Sequence, residues 1–197
     1  MQVIRRSDYA QMRWKNGAGS SLEIASSPLP AGGFTWRLSM AHIGQPGPFS
    51  SYDGYERVTA LVEGAGFTLR AAGAAELQFN AIGDCHAYSG SVPYSCELRS
   101  GLCRDLNLIA RSGLGASMSV LALAAGDTLI GAPSVEVFVL PLNGRVGVLA
   151  GERRSQLEAC DTLRLAAGEV ATVSAVDRPR AGGPPILIAV ARVLPAG

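Results

Sequence analysis

The chain reads as short runs in which apolar and polar residues take turns. Phe34-Thr35-Trp36-Arg37-Leu38-Ser39 alternates strictly, and Thr162-Leu163-Arg164-Leu165 does the same. Val135-Glu136-Val137-Phe138-Val139-Leu140 and Ile186-Leu187-Ile188-Ala189-Val190 are mostly apolar over a strand's length. A period of two marks a strand with one buried face, and short apolar runs suit strands buried on both. Twenty-four glycines and eleven prolines punctuate these runs. No segment keeps a helical period with a cap at each end, and the best helix candidate, around Ala116 to Ala125, also reads as a strand. The pattern predicts an all-β fold of sandwich or barrel type.

An internal echo divides it. Arg57 to Leu69 sets a strand on each side of Gly64, and Val137 to Val148 repeats the design around Gly144. A second turn follows each, Gly83-Asp84 in the first half and Cys160-Asp161 in the second. The repetition predicts two jelly-roll barrels of the cupin kind, over residues 1–115 and 116–197, each with a hairpin about its glycine. No low-complexity linker separates them, so one compact chain is expected.

Composition narrows the function classes. Hydrophobic residues make up 48% and charged residues 17%, enough apolar surface for a core and too little charge for disorder. Seventeen basic against sixteen acidic side chains leave a net charge of +1. Neither nucleic acid nor a membrane surface is therefore an expected partner. Lys15 is the sole lysine, so the basic chemistry is that of arginine, whose planar fork pairs with carboxylates. The amino-terminal stretch lacks the apolar core of an export signal, and no run reaches the roughly 18 residues of a membrane helix. Cys85, Cys96, Cys103 and Cys160 form no CxxC pair and read as reduced thiols. The expected compartment is the cytoplasm.

Metal chemistry needs three or four nitrogen, oxygen or sulfur ligands on one ion. The two histidines, His42 and His86, stand alone in the sequence, without a His-x-His pair. No GxSxG elbow is present, and Gly17-Ala18-Gly19 and Gly113-Leu114-Gly115 read as turns rather than phosphate loops. No metal, cofactor or catalytic residue is assigned.

Four segments mix polar with apolar residues between glycines: Trp14 to Ile24, Phe34 to Ala41, Gly47 to Arg57, and Asp105 to Arg111. Residues two apart on a strand share a face. Arg37 and Ser39 thus point one way, and so do Asp105, Asn107 and Ile109. Such faces either line a barrel mouth suited to a carboxylate or lie in water, with pairs such as Arg37 and Glu23.

These four segments, in this order, resemble the HutD/Ves family. Its pattern looks like W-x-N-G-x-G-x-[ST]-x-E-I, F-x-W-R-[IL]-S-x-A, G-P-F-S-x-[FY]-x-G-x-x-R and D-[FL]-N-[LV]-x-x-R. Ser20-Ser21 departs from the threonine common there but keeps a hydroxyl. The resemblance runs to about Arg111, and the C-terminal half fits only as a second barrel. It implies a cytoplasmic bicupin lacking the usual cupin metal. HutD members are associated with histidine-utilisation operons and a proposed sensing of N-formylglutamate; Ves members are linked to environmental stress.

The expected function is that of a non-enzymatic protein that binds a small carboxylate metabolite such as N-formylglutamate. Arg37 and Arg57 are its expected carboxylate partners, with Asn16 or Asn107 for an amide. Glu23, Ser39 and Asp105 complete the polar set, and Trp14 and Phe49 the apolar one. Two alternatives stand beside it. One is a metal-independent isomerase or hydrolase using Glu23 or Asp105 as base with Arg37; the other is a structural protein with a filled barrel. A homodimer is left open.

Overall fold

A computed structural model describes residues 1–13, 20–123, 126–177 and 183–194. Among these residues the only helical element is a 3-10 turn, Arg6–Asp8; the regular structure is otherwise β. The Ala116 to Ala125 region forms the strand Ser117–Ala122.

The chain makes two compact units, one of Ala10–Gly115 and one of Met1–Tyr9 with Ala116–Gly197. This differs from the expected division, 1–115 and 116–197, in the first nine residues. The strand Gln2–Ile4 pairs antiparallel with Thr162–Leu165 and covers an otherwise open sheet edge. Arg5 Nη1 donates to Asp161 at 2.7 Å and the Tyr9 hydroxyl to the Cys160 carbonyl at 2.6 Å, which pins the segment there.

In the Ala10–Gly115 unit a six-stranded sheet runs Ala10–Arg13, Ser20–Pro28, Phe34–Ile43, Cys103–Arg111, Tyr55–Glu63, Cys85–Ser89. A second sheet of four runs Gly47–Pro48, Ser95–Leu98, Phe67–Arg70, Leu77–Phe79. Between them pack Ile43 and Leu61 from the first sheet and Phe67, Leu69 and Phe79 from the second. In the other unit the first sheet runs Gln2–Ile4, Thr162–Leu165, Glu136–Pro141, Leu187–Val193, Ser117–Ala122. Its second sheet runs Thr128–Gly131, Val170–Ala175, Val146–Ala150, Arg153–Leu157. Setting aside the additional edge strands, both units hold eight strands in the same orders. Numbered within a unit, these are first-eighth-third-sixth and second-seventh-fourth-fifth. That is a jelly roll, twice.

The glycine echo belongs to this repeat but is not a hairpin. Tyr55–Glu63 and Phe67–Arg70 lie in different sheets, as do Glu136–Pro141 and Val146–Ala150. Gly64 and Gly144 are therefore corners at which the chain leaves one sheet for the other. Gly64 has φ +108°, and a Cβ there would stand 2.5 Å from the Leu102 carbonyl oxygen. A Cβ at Gly144, with φ +65°, would press on the tip of the Ile186 side chain and make an ordinary contact with Asp177 Oδ2 at 3.6 Å. Gly64→Ala is expected to cost about 3 kcal/mol, since both backbone and space refuse it. Gly144→Ala should cost about 1 kcal/mol, because that conformation is open to other residues and Ile186 can turn away. Urea unfolding of the two variants checks the difference.

Candidate ligand site in the Ala10–Gly115 unit

Cys103–Arg111 lies between two antiparallel neighbours, Phe34–Ile43 and Tyr55–Glu63. The register sets Arg37 opposite Ile109, Ser39 opposite Asn107 and Ala41 opposite Asp105. On the other side Arg57 faces Ile109 and Thr59 faces Asn107. Because side chains alternate, these residues share the inward face of the sheet. Arg37, Ser39, Arg57, Asp105 and Asn107 line a cavity of about 750 Å³, and every residue from Gly44 to Tyr52 lines it too.

Arg57 is buried and held from two sides. Its Nη1 donates to the Ser50 carbonyl at 2.6 Å and its Nη2 to Asn107 Oδ1 at 2.7 Å. The same Asn107 oxygen takes the Thr59 hydroxyl at 2.9 Å. The guanidinium carbon lies 4.6 Å from the Phe49 ring centre, 5.4 Å from Tyr88 and 5.6 Å from Tyr52. Three ring faces thus stabilise a cation that burial alone would penalise. Arg37 uses Tyr52 as well: Nη2 donates to its hydroxyl at 2.7 Å, and the Phe34 ring centre lies 4.5 Å from the guanidinium. Tyr52 stands between both arginines.

Polar capacity is left over. The Nε of Arg37 and of Arg57 is buried and finds no hydrogen-bond partner among the described residues. Both carboxylate oxygens of Asp105 are in the same position, and that side chain is 0% exposed. Burial pushes the Asp105 carboxyl up to about 6, with the Asn107 amide and the Arg57 charge pulling part of the way back. The Asn107 amide and the backbone N–H groups of Ala41 and Asp105 approach the carboxylate as donors and lower its value, yet none closes to full hydrogen-bond geometry. Burial also raises the Tyr88 phenol and the Cys96 thiol to about 12, so neither ionises near neutrality.

Five of the expected residues, Arg37, Ser39, Arg57, Asp105 and Asn107, come together on the cavity wall. Phe49 joins them as a ring on Arg57, stacked on Phe67 at 6.4 Å. Glu23 does not line the cavity, although the register sets it opposite Ser39; its carboxylate takes the Ser26 hydroxyl at 2.7 Å. Arg37 accordingly pairs with Tyr52 rather than with Glu23. Trp14 and Asn16 lie outside the described residues. Sequence reasoning passed over Tyr52, Ser50, Thr59 and Tyr88 as functional residues. Tyr52 falls inside a motif segment, and Tyr88 has only the alternation of Cys85–Ser89 to mark it.

Neither histidine lines the cavity. His42 Nε2 receives Arg104 Nε at 2.8 Å, and His86 Nε2 meets the Gln78 carbonyl at 2.8 Å. Among the described residues no three His, Cys, Asp or Glu side chains converge, so this wall does not fit a metal-ligand set.

The HutD sequence profile matches residues 6–180. This chain belongs to the HutD family. An uncharacterised 21.2 kDa protein of the hutC 3′ region of Pseudomonas putida is 35% identical over 173 residues, covering 84% of this chain and 86% of that one. That position links the family to histidine utilisation. A conserved protein of unknown function from Pseudomonas aeruginosa superposes with a TM-score of 0.81 at 30% identity, over 100% of this chain and 99% of that one. HutD from Pseudomonas fluorescens, in a formate condition, gives 0.77 at 30% identity, over 98% of both chains. Protein Ves of Escherichia fergusonii is 32% identical over 99 residues, half of each chain. A nickel(II) complex of a bacterial pirin, with a TM-score of 0.63 and 12% identity, covers 98% of this chain and 99% of its own, and shares the fold alone. Among the described residues of this HutD-family chain, no helix is long and apolar enough to cross a membrane.

Proposed function

We propose that this chain is a binding protein that senses a small carboxylate metabolite of histidine utilisation, of the N-formylglutamate type. One observation carries the reading: two arginines, each with an unmatched Nε, stand on the wall of a cavity of about 750 Å³. That volume suits a small ligand. Its remaining lining is polar enough to orient one, through Ser39 and Asn107. Guanidinium groups preset by ring contacts and hydrogen bonds lose little entropy when a carboxylate arrives. Family membership and the relative of the hutC 3′ region support a ligand drawn from histidine utilisation.

Thermal unfolding with added histidine-pathway intermediates tests it. A ligand at about one hundred times its Kd stabilises by about 2.7 kcal/mol, a rise of roughly 5–10 °C for a chain of this size. N-Formylglutamate is expected to give such a rise. If no intermediate of that pathway does, while an unrelated class of compound does, the reading is wrong.

A second reading rests on Asp105. A buried carboxyl raised to about 6 beside an arginine is a usable general base. As a metal-independent hydrolase the protein would release formate from N-formylglutamate, followed by NMR, and Asp105→Asn would abolish the release. Prolonged incubation without formate removes this reading. The filled-barrel alternative fits only the other unit. There Val139 and Val190 face each other within an apolar core, where the first unit sets Thr59 against Asn107.

A further inference from the structure

The cavity wall carries unmatched groups of both kinds. Arg37 and Arg57 each hold an N–H without an acceptor, and Asp105 holds two oxygens without a donor. A plain dicarboxylate answers only the arginines and brings a like charge toward Asp105. A carboxylate that also bears an N–H or O–H answers both. On a side chain as buried as Asp105 an unmatched charged oxygen is costly, so supplying its donor discriminates strongly between ligands.

We propose that Asp105 sets ligand specificity by accepting a hydrogen bond from the ligand, so that the site selects carboxylates carrying an N–H or O–H donor over carboxylates without one. This inference rests on the binding role proposed above and narrows the class of ligand. Asp105 acts here as a specificity residue on the bound molecule, with no bond made or broken.

The surroundings of Asp105 allow a second readout. The titratable and charged groups near it are Arg57 on Tyr55–Glu63, Arg37 on Phe34–Ile43, Tyr88 on Cys85–Ser89 and Cys96 on Ser95–Leu98. Tyr88 and Cys96 stay protonated near neutrality, since burial raises both to about 12. Arginine stays charged. Proton exchange on binding near pH 6.5 therefore reports Asp105. A ligand N–H bonded to the carboxylate favours its ionised form and releases protons; a second ligand carboxylate nearby favours the acid form and takes protons up.

Titration calorimetry with N-formylglutamate and with glutarate, which share two carboxylates and differ in the formylamino group that carries the N–H, tests this in buffers of different ionisation enthalpy. The wild-type protein is expected to prefer N-formylglutamate by roughly ten-fold or more. It should release protons with N-formylglutamate and take them up with glutarate. Asp105→Asn should bring the two affinities together and remove the difference in proton exchange. Equal affinities in the wild type, or proton exchange of the same sign and size for both ligands, overturn the proposal and leave the arginine-based reading standing. A preference kept by the variant also overturns it. Binding of neither ligand overturns that reading and this proposal with it. The wild-type measurements decide between these outcomes even if the variant folds poorly.

Discussion

Arg57→Ala is expected to lower stability by about 3 kcal/mol and to abolish carboxylate binding. The guanidinium holds the Ser50 carbonyl and Asn107, and its plane fills the space between Phe49, Tyr52 and Tyr88. Alanine leaves the Ser50 carbonyl without its charged donor and opens a gap between three rings. Asn107 keeps only the Thr59 hydroxyl on that oxygen. Relief from burying a cation offsets part of the loss, which is why the figure stays near the lower end for a broken buried pair. For a chain of this size the melting temperature should fall by roughly 6–12 °C. Arg57→Lys separates the two effects. An ammonium is a point charge that cannot reach both Ser50 and Asn107 in the same plane. Lysine should recover part of the stability and little of the affinity. Denaturant unfolding, with and without N-formylglutamate, measures both.

Asp105→Asn is expected to make the protein more stable above pH 6 and to leave it unchanged near pH 4. Burial holds the folded-state carboxyl at about 6 against its ordinary 3.8, so the folded state keeps its proton where the unfolded chain has lost it. The stability associated with this group is fully present below the unfolded value. It is lost as pH rises toward 6 and stays lost above. The variant carries no such loss, and the gap at pH 8 is on the order of 2–3 kcal/mol. An asparagine amide with no partner would reduce that gain. Glu169, beside the N-terminal ammonium, and Asp177, bonded by Arg145, are held below the ordinary range and work in the opposite sense, losing stability in acid. Both are common to wild type and variant, so the difference between the two curves isolates Asp105. Urea midpoints from pH 4 to pH 8 give those curves. A natural chain that keeps this costly acid fits a role in binding rather than in folding.

Strand alternation was enough to place most of the inward wall. Arg37 with Ser39, and Asp105 with Asn107, share a face because the period of a strand is two wherever it lies. The echo about Gly64 and Gly144 was also legible, but its meaning was not. A glycine turn between two apolar runs looks the same whether the runs pair or part, and only tertiary contacts decide which sheet takes the second run. The N-terminal segment was misplaced for a related reason: Gln2–Ile4 has no local signal for a partner at Thr162–Leu165. Within the site, the strand residues were visible and the loop contacts were not. Ser50 contributes a backbone carbonyl, which any residue type could supply, and Tyr52 and Tyr88 resemble ordinary core rings until Arg57 is set among them.

The pairing of Gln2–Ile4 with Thr162–Leu165 also constrains how the chain is made. The first strand is synthesised about 160 residues ahead of its partner. At roughly 5–20 residues per second it waits on the order of ten to thirty seconds on the ribosome before that partner exists. Late in that interval, once Cys103–Arg111 has emerged, the Ala10–Gly115 segment between them has all its strands and can close its own barrel. A nascent chain would therefore complete the cavity of this unit while Gln2–Ile4 is still without its partner strand.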